Sequence, residues 1–193
     1  MIITYRFGCG LYINMTNRCS NDCTFCIRRL GDSVGDAESL WLPREPSREE
    51  VLEDIKKRDL TMFDEIVFCG YGEPTERLDD LLWICEQLKK TESLTIRVNT
   101  NGHASLIADY DTAPLFANLV DKLSISLNAA SAEEYNKLCN PAFGFETYQS
   151  ILDFAKKVMI YVPDTVLSVV RGTTDIDACS LVAKKIGLPL RVR

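Results

Sequence analysis

Short apolar segments alternate with longer amphipathic segments along the whole chain. Six short segments have the pattern of β-strands, namely residues 11–15, 65–69, 94–100, 121–128, 165–170 and 188–192. Residues 66–69 are continuously apolar, which is typical of a strand buried on both faces of a parallel sheet. The segment 121–128 alternates instead, with Leu123, Ile125 and Leu127 between polar residues. The pattern therefore predicts six strands.

The segments between these strands predict helices, because their apolar residues recur three or four positions apart. Ser47 and Glu50 form a capping-box pattern that begins a helix ending near Arg58, and Ser131 with Glu134 repeats the pattern before a shorter one. Residues 104–119 are expected to be helical only in parts, since Pro114 interrupts them. Further helices are expected at 78–88, 151–159 and 179–186, and a long irregular loop at 30–46.

The alternation of strand and helix predicts an α/β fold with parallel strands joined by right-handed crossovers. A complete eight-unit barrel typically needs about 250 residues, whereas this chain has 193 residues and six units. We therefore expect a partial (β/α)6 TIM-like barrel that is open on one side and forms one domain, residues 1–193. A doubly wound open sheet is the alternative, because periodicity does not distinguish the two.

Composition and charge argue against several classes of function, including nucleic-acid binding and membrane insertion. The net charge of −6 argues against broad binding to a nucleic-acid backbone. No apolar run reaches the roughly 18 residues of a membrane span, and the first residues lack the apolar region of a signal peptide. We therefore expect a cytoplasmic protein with no membrane partner, in which the eight cysteines are reduced thiols.

Three cysteines, Cys19, Cys23 and Cys26, crowd into the loop after the first predicted strand. Thiolates this close repel one another unless a metal or disulfides hold them, and three is an odd number for disulfides. Three is also one ligand short of a closed zinc or iron–sulfur site. Two alternatives follow: a zinc site completed by His103 or another cysteine, or a cubane cluster with one iron open to a non-protein ligand.

Polar residues and glycines follow the other strands, where a barrel of this type builds its active site. Gly70-Tyr71-Gly72-Glu73-Pro74 follows the second strand, and Asn99 with Asn101-Gly102 ends the third. Ser126 and Asn128 end the fourth strand, and Arg171 follows the fifth. We expect these residues to meet the three cysteines at one mouth of the barrel, which a zinc site alone would not explain.

These motifs together resemble the radical S-adenosylmethionine (SAM) superfamily. The resemblance lies in the cysteine spacing with Phe25 before the third cysteine, in Gly72-Glu73-Pro74, in residues 99–102 and in residues 126–128. The chain departs from the commonest pattern at Tyr71, where most members have glycine. Within the superfamily it is most similar to a subgroup named for association with TatD-family nucleases.

The resemblance implies a radical SAM enzyme. Cys19, Cys23 and Cys26 would hold a [4Fe–4S] cluster, SAM would bind the open iron, and reductive cleavage would give a 5′-deoxyadenosyl radical that abstracts hydrogen from a substrate. The cofactor-binding residues implied are Gly72 and Glu73 for the SAM ammonium, Ser126 and Asn128 for the ribose, Asn99 in support, backbone at Phe25 for the adenine, and Arg171 for the SAM carboxylate or the substrate.

The partners expected are a reductant such as flavodoxin or ferredoxin and a small-molecule or protein substrate that the sequence does not identify. Two alternatives stay open: an activase that places a radical on a partner protein, and an iron–sulfur electron carrier that is no enzyme. Cys85 and Cys179 are expected in the core. Cys69 and Cys139 are either buried or substrate-side thiols, and His103 is either a proton donor at the mouth or a residue at a helix start or on the surface.

Overall fold

The computed structural model describes residues 1–29, 31 and 34–193. Its strands are β1 (Thr4–Phe7), β2 (Gly10–Ile13), β3 (Glu65–Phe68), β4 (Thr95–Thr100), β5 (Lys122–Ser126), β6 (Asp164–Val169) and β7 (Leu190–Val192). Its α-helices are α1 (Arg48–Lys56), α2 (Leu78–Thr91), α3 (Ala104–Ala108), α4 (Ala132–Cys139), α5 (Glu146–Val158) and α6 (Ile176–Ile186). Short 3-10 helices lie at Ile27–Arg29, Leu60–Met62, Pro74–Arg77 and Ala113–Phe116.

The described strands form one seven-stranded sheet in the order β1 to β7. Each strand from β3 to β7 runs parallel to the strand before it. β1 and β7 lie at the two ends of this order and do not pair, so the sheet is not closed. The predicted partial barrel, open on one side, is confirmed, and the six predicted strands correspond to β2 to β7.

A seventh strand, β1, was not predicted from the sequence. This strand pairs antiparallel with β2, from Thr4 opposite Ile13 to Phe7 opposite Gly10. Gly8 makes the turn between them with φ of +60°, a conformation that glycine adopts at no steric cost. A four-residue strand before such a tight turn gives no extended apolar run, and its signal is therefore weak in the sequence.

Alternation along the strands separates two faces of the sheet. Ile96 and Val98 of β4 are buried in the main apolar core together with helix residues such as Leu81 and Leu88. Arg97 and Asn99 lie between them in sequence and point to the opposite side, because successive strand residues alternate. We call the side away from the helices the inner face. The main apolar core lies between the sheet and the helices, and the inner face carries both polar residues and a smaller apolar cluster that includes Tyr5, Leu40 and Tyr71.

Two of the predicted helix signals, the capping box before α1 and the interruption at Pro114, agree with the structure. The Ser47 side chain accepts a hydrogen bond from the Glu50 backbone N–H, and the Glu50 side chain accepts one from the Ser47 backbone N–H, which completes the capping box of α1. In the segment 104–119, α3 ends at Ala108 and is followed by the C-cap residue Asp109 with φ of +61°, and a 3-10 helix over Ala113–Phe116 begins beside Pro114. Partly helical structure is thus confirmed there.

The predicted loop at 30–46 includes Leu30, Asp32 and Ser33, which lie outside the described residues. The rest of it contains neither an α-helix nor a strand, and its Trp41 packs edge-on against Tyr71 at 5.2 Å between ring centroids. Among the helices that the structure describes, none is long and apolar enough to cross a membrane.

Candidate active site

The loop that carries the three cysteines begins at the carboxyl end of β2. Two turns shape it, since Cys26 N–H donates to Cys23 O (3.2 Å) and Arg29 N–H donates to Cys26 O (2.9 Å). Cys19, Cys23 and Cys26 are all partly exposed. Arg28 donates to Asn17 O (3.0 Å) and also contacts the Cys26 side chain, so a cation stands beside one of the three thiols.

The turn after β3 docks directly on this loop. Glu73 N–H donates to Arg18 O at 2.8 Å. A Cβ at Gly72 would lie 2.2 Å from Thr16 O and 2.6 Å from Arg18 O. Both are backbone atoms, which cannot move aside as the end of a flexible side chain can. The contact therefore requires glycine at position 72, and it brings Gly72-Glu73-Pro74 to the cysteine loop.

The Glu73 carboxylate joins this turn to the end of β4. Its Oε1 accepts hydrogen bonds from Thr75 N (3.0 Å), Thr75 Oγ1 (2.7 Å) and Thr100 Oγ1 (2.7 Å). Its Oε2 accepts one from Asn101 N (2.6 Å). Only 5% of the residue is exposed, and this burial raises the pKa of Glu73 although the four donors oppose the shift. Each carboxylate oxygen has two lone pairs, and Oε2 accepts only one of the four hydrogen bonds, so it has room for a further donor.

A buried hydrogen-bonded chain centred on His103 ties the cysteine loop to β4 and α4. His103 Nδ1 lies 2.9 Å from Ser20 Oγ, and His103 Nε2 lies 3.0 Å from Tyr135 Oη. Asn101 Nδ2 donates to Ser20 Oγ (3.0 Å), and Asn21 Nδ2 donates to Tyr135 Oη (2.8 Å). His103 has no exposed surface, and burial lowers its pKa to about 3. A neutral imidazole therefore sits here, a role that the sequence did not predict.

Cys139, at the end of α4, is a fourth sulfur beside the loop. The thiols of Cys23 and Cys139 share a hydrogen bond, which raises the pKa of Cys23 and lowers that of Cys139. Asn128 Nδ2 also approaches Cys139 Sγ at 3.6 Å. The loop backbone pairs with α4 as well, since Asp22 N–H donates to Cys139 O and Thr24 N–H donates to Leu138 O, both at 2.9 Å. Of the two readings of Cys139, the buried one is confirmed.

Of the other predicted site residues, Asn99 and Asn128 lie at strand ends, whereas Phe25 packs on the main core. Asn128 has φ of +58°, and its Oδ1 is buried without a partner among the described residues. Asn99 accepts from Arg97 Nη1 (3.0 Å) and donates to the Cys69 thiol. Phe25 is partly buried against the main core. Thus Glu73 lies beside the cysteine loop. Asn128 is linked to the same loop through Cys139, which contacts both Asn128 and Cys23.

Arg171 stands apart from this group. It is exposed in the turn after β6, where its backbone N–H donates to Arg193 O at 2.9 Å. The guanidinium that reaches the strand ends is that of Arg193, whose Nη2 donates to Ser126 Oγ at 3.1 Å. Arg193 was not predicted from the sequence, because a cation was sought only after the fifth predicted strand. The signal that could have found Arg193 is its position directly after β7, where the alternation of the strand places it on the inner face.

The residues present fit a three-thiolate cluster with SAM beside it. Burial, with Glu73 nearby, raises the pKa of Cys19 to about 12, so a thiolate there needs the positive charge that bound iron would supply. Among the described residues, no three side chains of His, Cys, Asp or Glu are placed to share one metal ion. In a cubane each thiolate binds a different iron atom, so the thiols need not meet at one point.

Two unpartnered oxygens also fit a polar ligand. Asn21 Oδ1 and Asn128 Oδ1 are buried and, in the part of the chain that the structure describes, have no hydrogen-bond partner. Leaving such an atom unsatisfied costs about 1–3 kcal/mol, and a ligand hydroxyl or amine would remove that cost. A groove of about 830 Å³ lies beside the loop, between Arg18, Glu45 and α3, but its lining includes none of the predicted site residues.

Comparisons with known proteins agree with this geometry. The family model described as "Radical SAM superfamily" matches residues 13–181. Among solved structures, a radical SAM methyltransferase from Sphaerobacter thermophilus is 14% identical with a TM-score of 0.62, over 98% of this chain and 68% of that one. The structure described as native anSMEcpe with bound AdoMet and Cp18Cys peptide is 21% identical with a TM-score of 0.64, over 95% of this chain and 50% of that one.

HydG, a maturase of the [FeFe]-hydrogenase, has a TM-score of 0.64 at 14% identity, over 95% of this chain and 42% of that one. At these identities the structural matches establish the fold alone, and the chain spans about half the length of two of these three relatives. A search of curated protein sequences gave no match. The family model, in contrast, covers most of the chain. The chain therefore belongs to the radical SAM superfamily, whose members are enzymes that use SAM and a [4Fe–4S] cluster.

Proposed function

We propose that Cys19, Cys23 and Cys26 hold the [4Fe–4S] cluster of this enzyme. When bound, the cluster and SAM would together supply reductive cleavage of the sulfonium and a 5′-deoxyadenosyl radical that takes hydrogen from a substrate. The observation that carries the proposal is the docking of the Gly72–Glu73 turn on the cysteine loop, with Glu73 N–H on Arg18 O at 2.8 Å. This contact puts a glycine-lined backbone and a buried carboxylate next to the loop that carries the three thiols.

The residues of the turn would bind the amino end of SAM. Gly72 permits the close backbone approach, and Glu73 Oε2 has one lone pair left after Asn101 N–H has bonded to it. An ammonium donor there would form a charge-assisted hydrogen bond, which is stronger than a neutral one. Glu73 would thus bind SAM while its other hydrogen bonds hold the turn after β3 against the end of β4.

The ends of β4 and β5 would bind the rest of SAM. Asn128 Oδ1 is a buried acceptor that a ribose hydroxyl would satisfy, and Ser126 Oγ is held near it on the same strand end. Asn99 would assist from β4, and backbone at Phe25 would contact the adenine. Arg171, exposed after β6, would reach the SAM carboxylate or the substrate only by extending over the mouth.

The wider assignments extend this proposal. We propose that residues 1–193 act as a single radical SAM core domain in the cytoplasm, within the TatD-associated subgroup, with flavodoxin or ferredoxin as reductant and a small molecule or protein as substrate. Nucleic acid is not expected as a partner, given the net charge of −6. Membership of a superfamily of enzymes argues against the plain electron carrier, and nothing described favours the activase over small-molecule chemistry.

Reconstitution under anaerobic conditions tests the ligand assignment. The protein is incubated with iron and sulfide, and iron content and the absorbance near 400 nm are measured for the wild type, Cys26→Ala and Cys9→Ala. Cys9 is exposed and is the matched control. The proposal expects about four irons per chain in the wild type and in Cys9→Ala, and loss of the intact cluster in Cys26→Ala. Equal iron content in all three proteins would contradict it.

A further inference from the structure

The inner face of the sheet is more basic than the rest of this acidic protein. Alternation places four cations on it, namely Arg97, Lys122, Arg191 and Arg193, against the two acidic residues Glu65 and Asp164. A cavity of about 250 Å³ on this face is lined by five of these six charged side chains and lies towards the amino ends of the strands, where Glu65, Lys122 and Asp164 begin β3, β5 and β6. Arg193, at the carboxyl end of the sheet, lies outside this cavity. The chain as a whole carries a net charge of −6, whereas this face has two more cations than acidic residues.

Two of the cations already have acidic partners. Arg97 binds Glu65 through two hydrogen bonds, of 3.1 Å from Nε and 2.6 Å from Nη2, and its Nη1 donates to Asn99. Lys122 lies 3.9 Å from Asp164. Arg97 is therefore held as part of the wall of the cavity, and its charge is offset. The excess charge belongs to the two arginines of the last strand segment.

Arg191 and Arg193 have no carboxylate within ion-pair distance among the residues that the structure describes. Arg193 donates only to a neutral hydroxyl, that of Ser126, at 3.1 Å. Partial burial lowers the pKa of Arg193, and the like charges of Arg191 and Arg97 act in the same direction. A guanidinium in this position gains most from an anion, because it offers a rigid pair of donors to a carboxylate or phosphate.

We infer that the inner face binds an anionic small-molecule substrate, whose carboxylate or phosphate group is held by Arg193 with Arg191 next to it. The position rests on the proposed function, since Ser126 is the residue assigned to the ribose of SAM and Arg193 contacts it. A substrate anchored by Arg193 would then have its remaining atoms directed along the inner face beside the bound SAM. The inference names the substrate class and leaves the rest of the substrate open.

Anion binding by the reconstituted full chain tests this inference. Isothermal titration with inorganic phosphate and with succinate, in a buffer free of other multivalent anions, separates the two kinds of anion. The variants are Arg193→Gln and Arg193→Lys, with Lys184→Gln as a control that removes one positive charge from the exposed side of α6. We expect saturable binding of at least one probe by the wild type and by Lys184→Gln. Affinity should fall at least tenfold in Arg193→Gln and less in Arg193→Lys.

Three results would overturn the inference. The first is no saturable binding of either anion to the wild type, and the second is equal affinity in Arg193→Gln. The third is a tenfold loss of SAM affinity in Arg193→Gln without loss of anion binding, which would assign Arg193 to SAM itself. Deoxyadenosine formed with SAM and dithionite is measured in the same preparations. Deoxyadenosine without anion binding refutes only the inference, whereas Arg193-dependent anion binding without deoxyadenosine supports it and refutes only the proposed function.

Discussion

Lowering the pH from 7 to 5 should destabilise the fold through one side chain, His103. Its imidazole is fully buried, and its pKa is lowered to about 3 from the ordinary value of 6.5. Between these two values the unfolded chain binds a proton that the folded chain excludes. The stability due to neutral His103 is therefore complete above pH 6.5 and is lost as the pH falls towards 3. Each pH unit in that window costs about 1.4 kcal/mol, so the loss from pH 7 to pH 5 is about 2 kcal/mol.

The chain allows a clean measurement because His103 is its only histidine. Urea unfolding of the iron-free protein at pH 7 and pH 5, under reducing conditions, gives the free energy of unfolding for the wild type and for His103→Gln. Glutamine keeps a donor and an acceptor between Ser20 and Tyr135 but does not titrate. The wild type should lose about 2 kcal/mol more than the variant, since carboxylates such as Glu73 contribute equally to both. Equal losses, or a histidine pKa near 6.5 by NMR, would refute the reasoning.

Three further predictions concern the contacts around the loop. Gly72→Ala should abolish cluster loading, because its Cβ would lie 2.2 Å from Thr16 O. Gly172→Ala should still load iron, because its Cβ meets no atom within 4 Å and its cost is the local strain of alanine at φ of +80°, in the turn after β6. Glu73→Gln should lower the free energy of unfolding by about 2–3 kcal/mol in urea titrations, since an NH2 group would replace an acceptor of buried donors. Cys139→Ala should retain about four irons per chain while Cys23→Ala does not; loss of iron in both would make Cys139 a ligand.

The α/β fold could be predicted from the sequence because each parallel strand carries its own signal. The apolar run at β3 and the alternation at β5 depend only on neighbouring residues and on which faces are buried. The antiparallel strand β1 could not be found this way, since it has four residues and its pairing depends on the turn at Gly8. Local patterns thus identified the strands that alternate with helices and missed the one that does not.

The site could be predicted in part, as far as topology determines it. Parallel strands bring their carboxyl ends to one edge, so the cysteine loop and the turn after β3 were expected together. The partners of individual side chains were not predictable, because they depend on tertiary distances. His103 was considered a proton donor or a residue at a helix start or on the surface, yet it lies fully buried between Ser20 and Tyr135. Arg193 was not considered, since its contact with Ser126 crosses 67 positions of sequence.

The central claim is that three cysteines of this chain hold a cluster that cleaves SAM. The most direct measurement is deoxyadenosine released by anaerobically reconstituted protein supplied with SAM and dithionite, with Cys26→Ala as the comparison. The account predicts that the wild type releases deoxyadenosine and binds about four irons per chain, and that Cys26→Ala does neither. Wild-type protein that binds stoichiometric zinc, lacks the absorbance near 400 nm and releases no deoxyadenosine would contradict it.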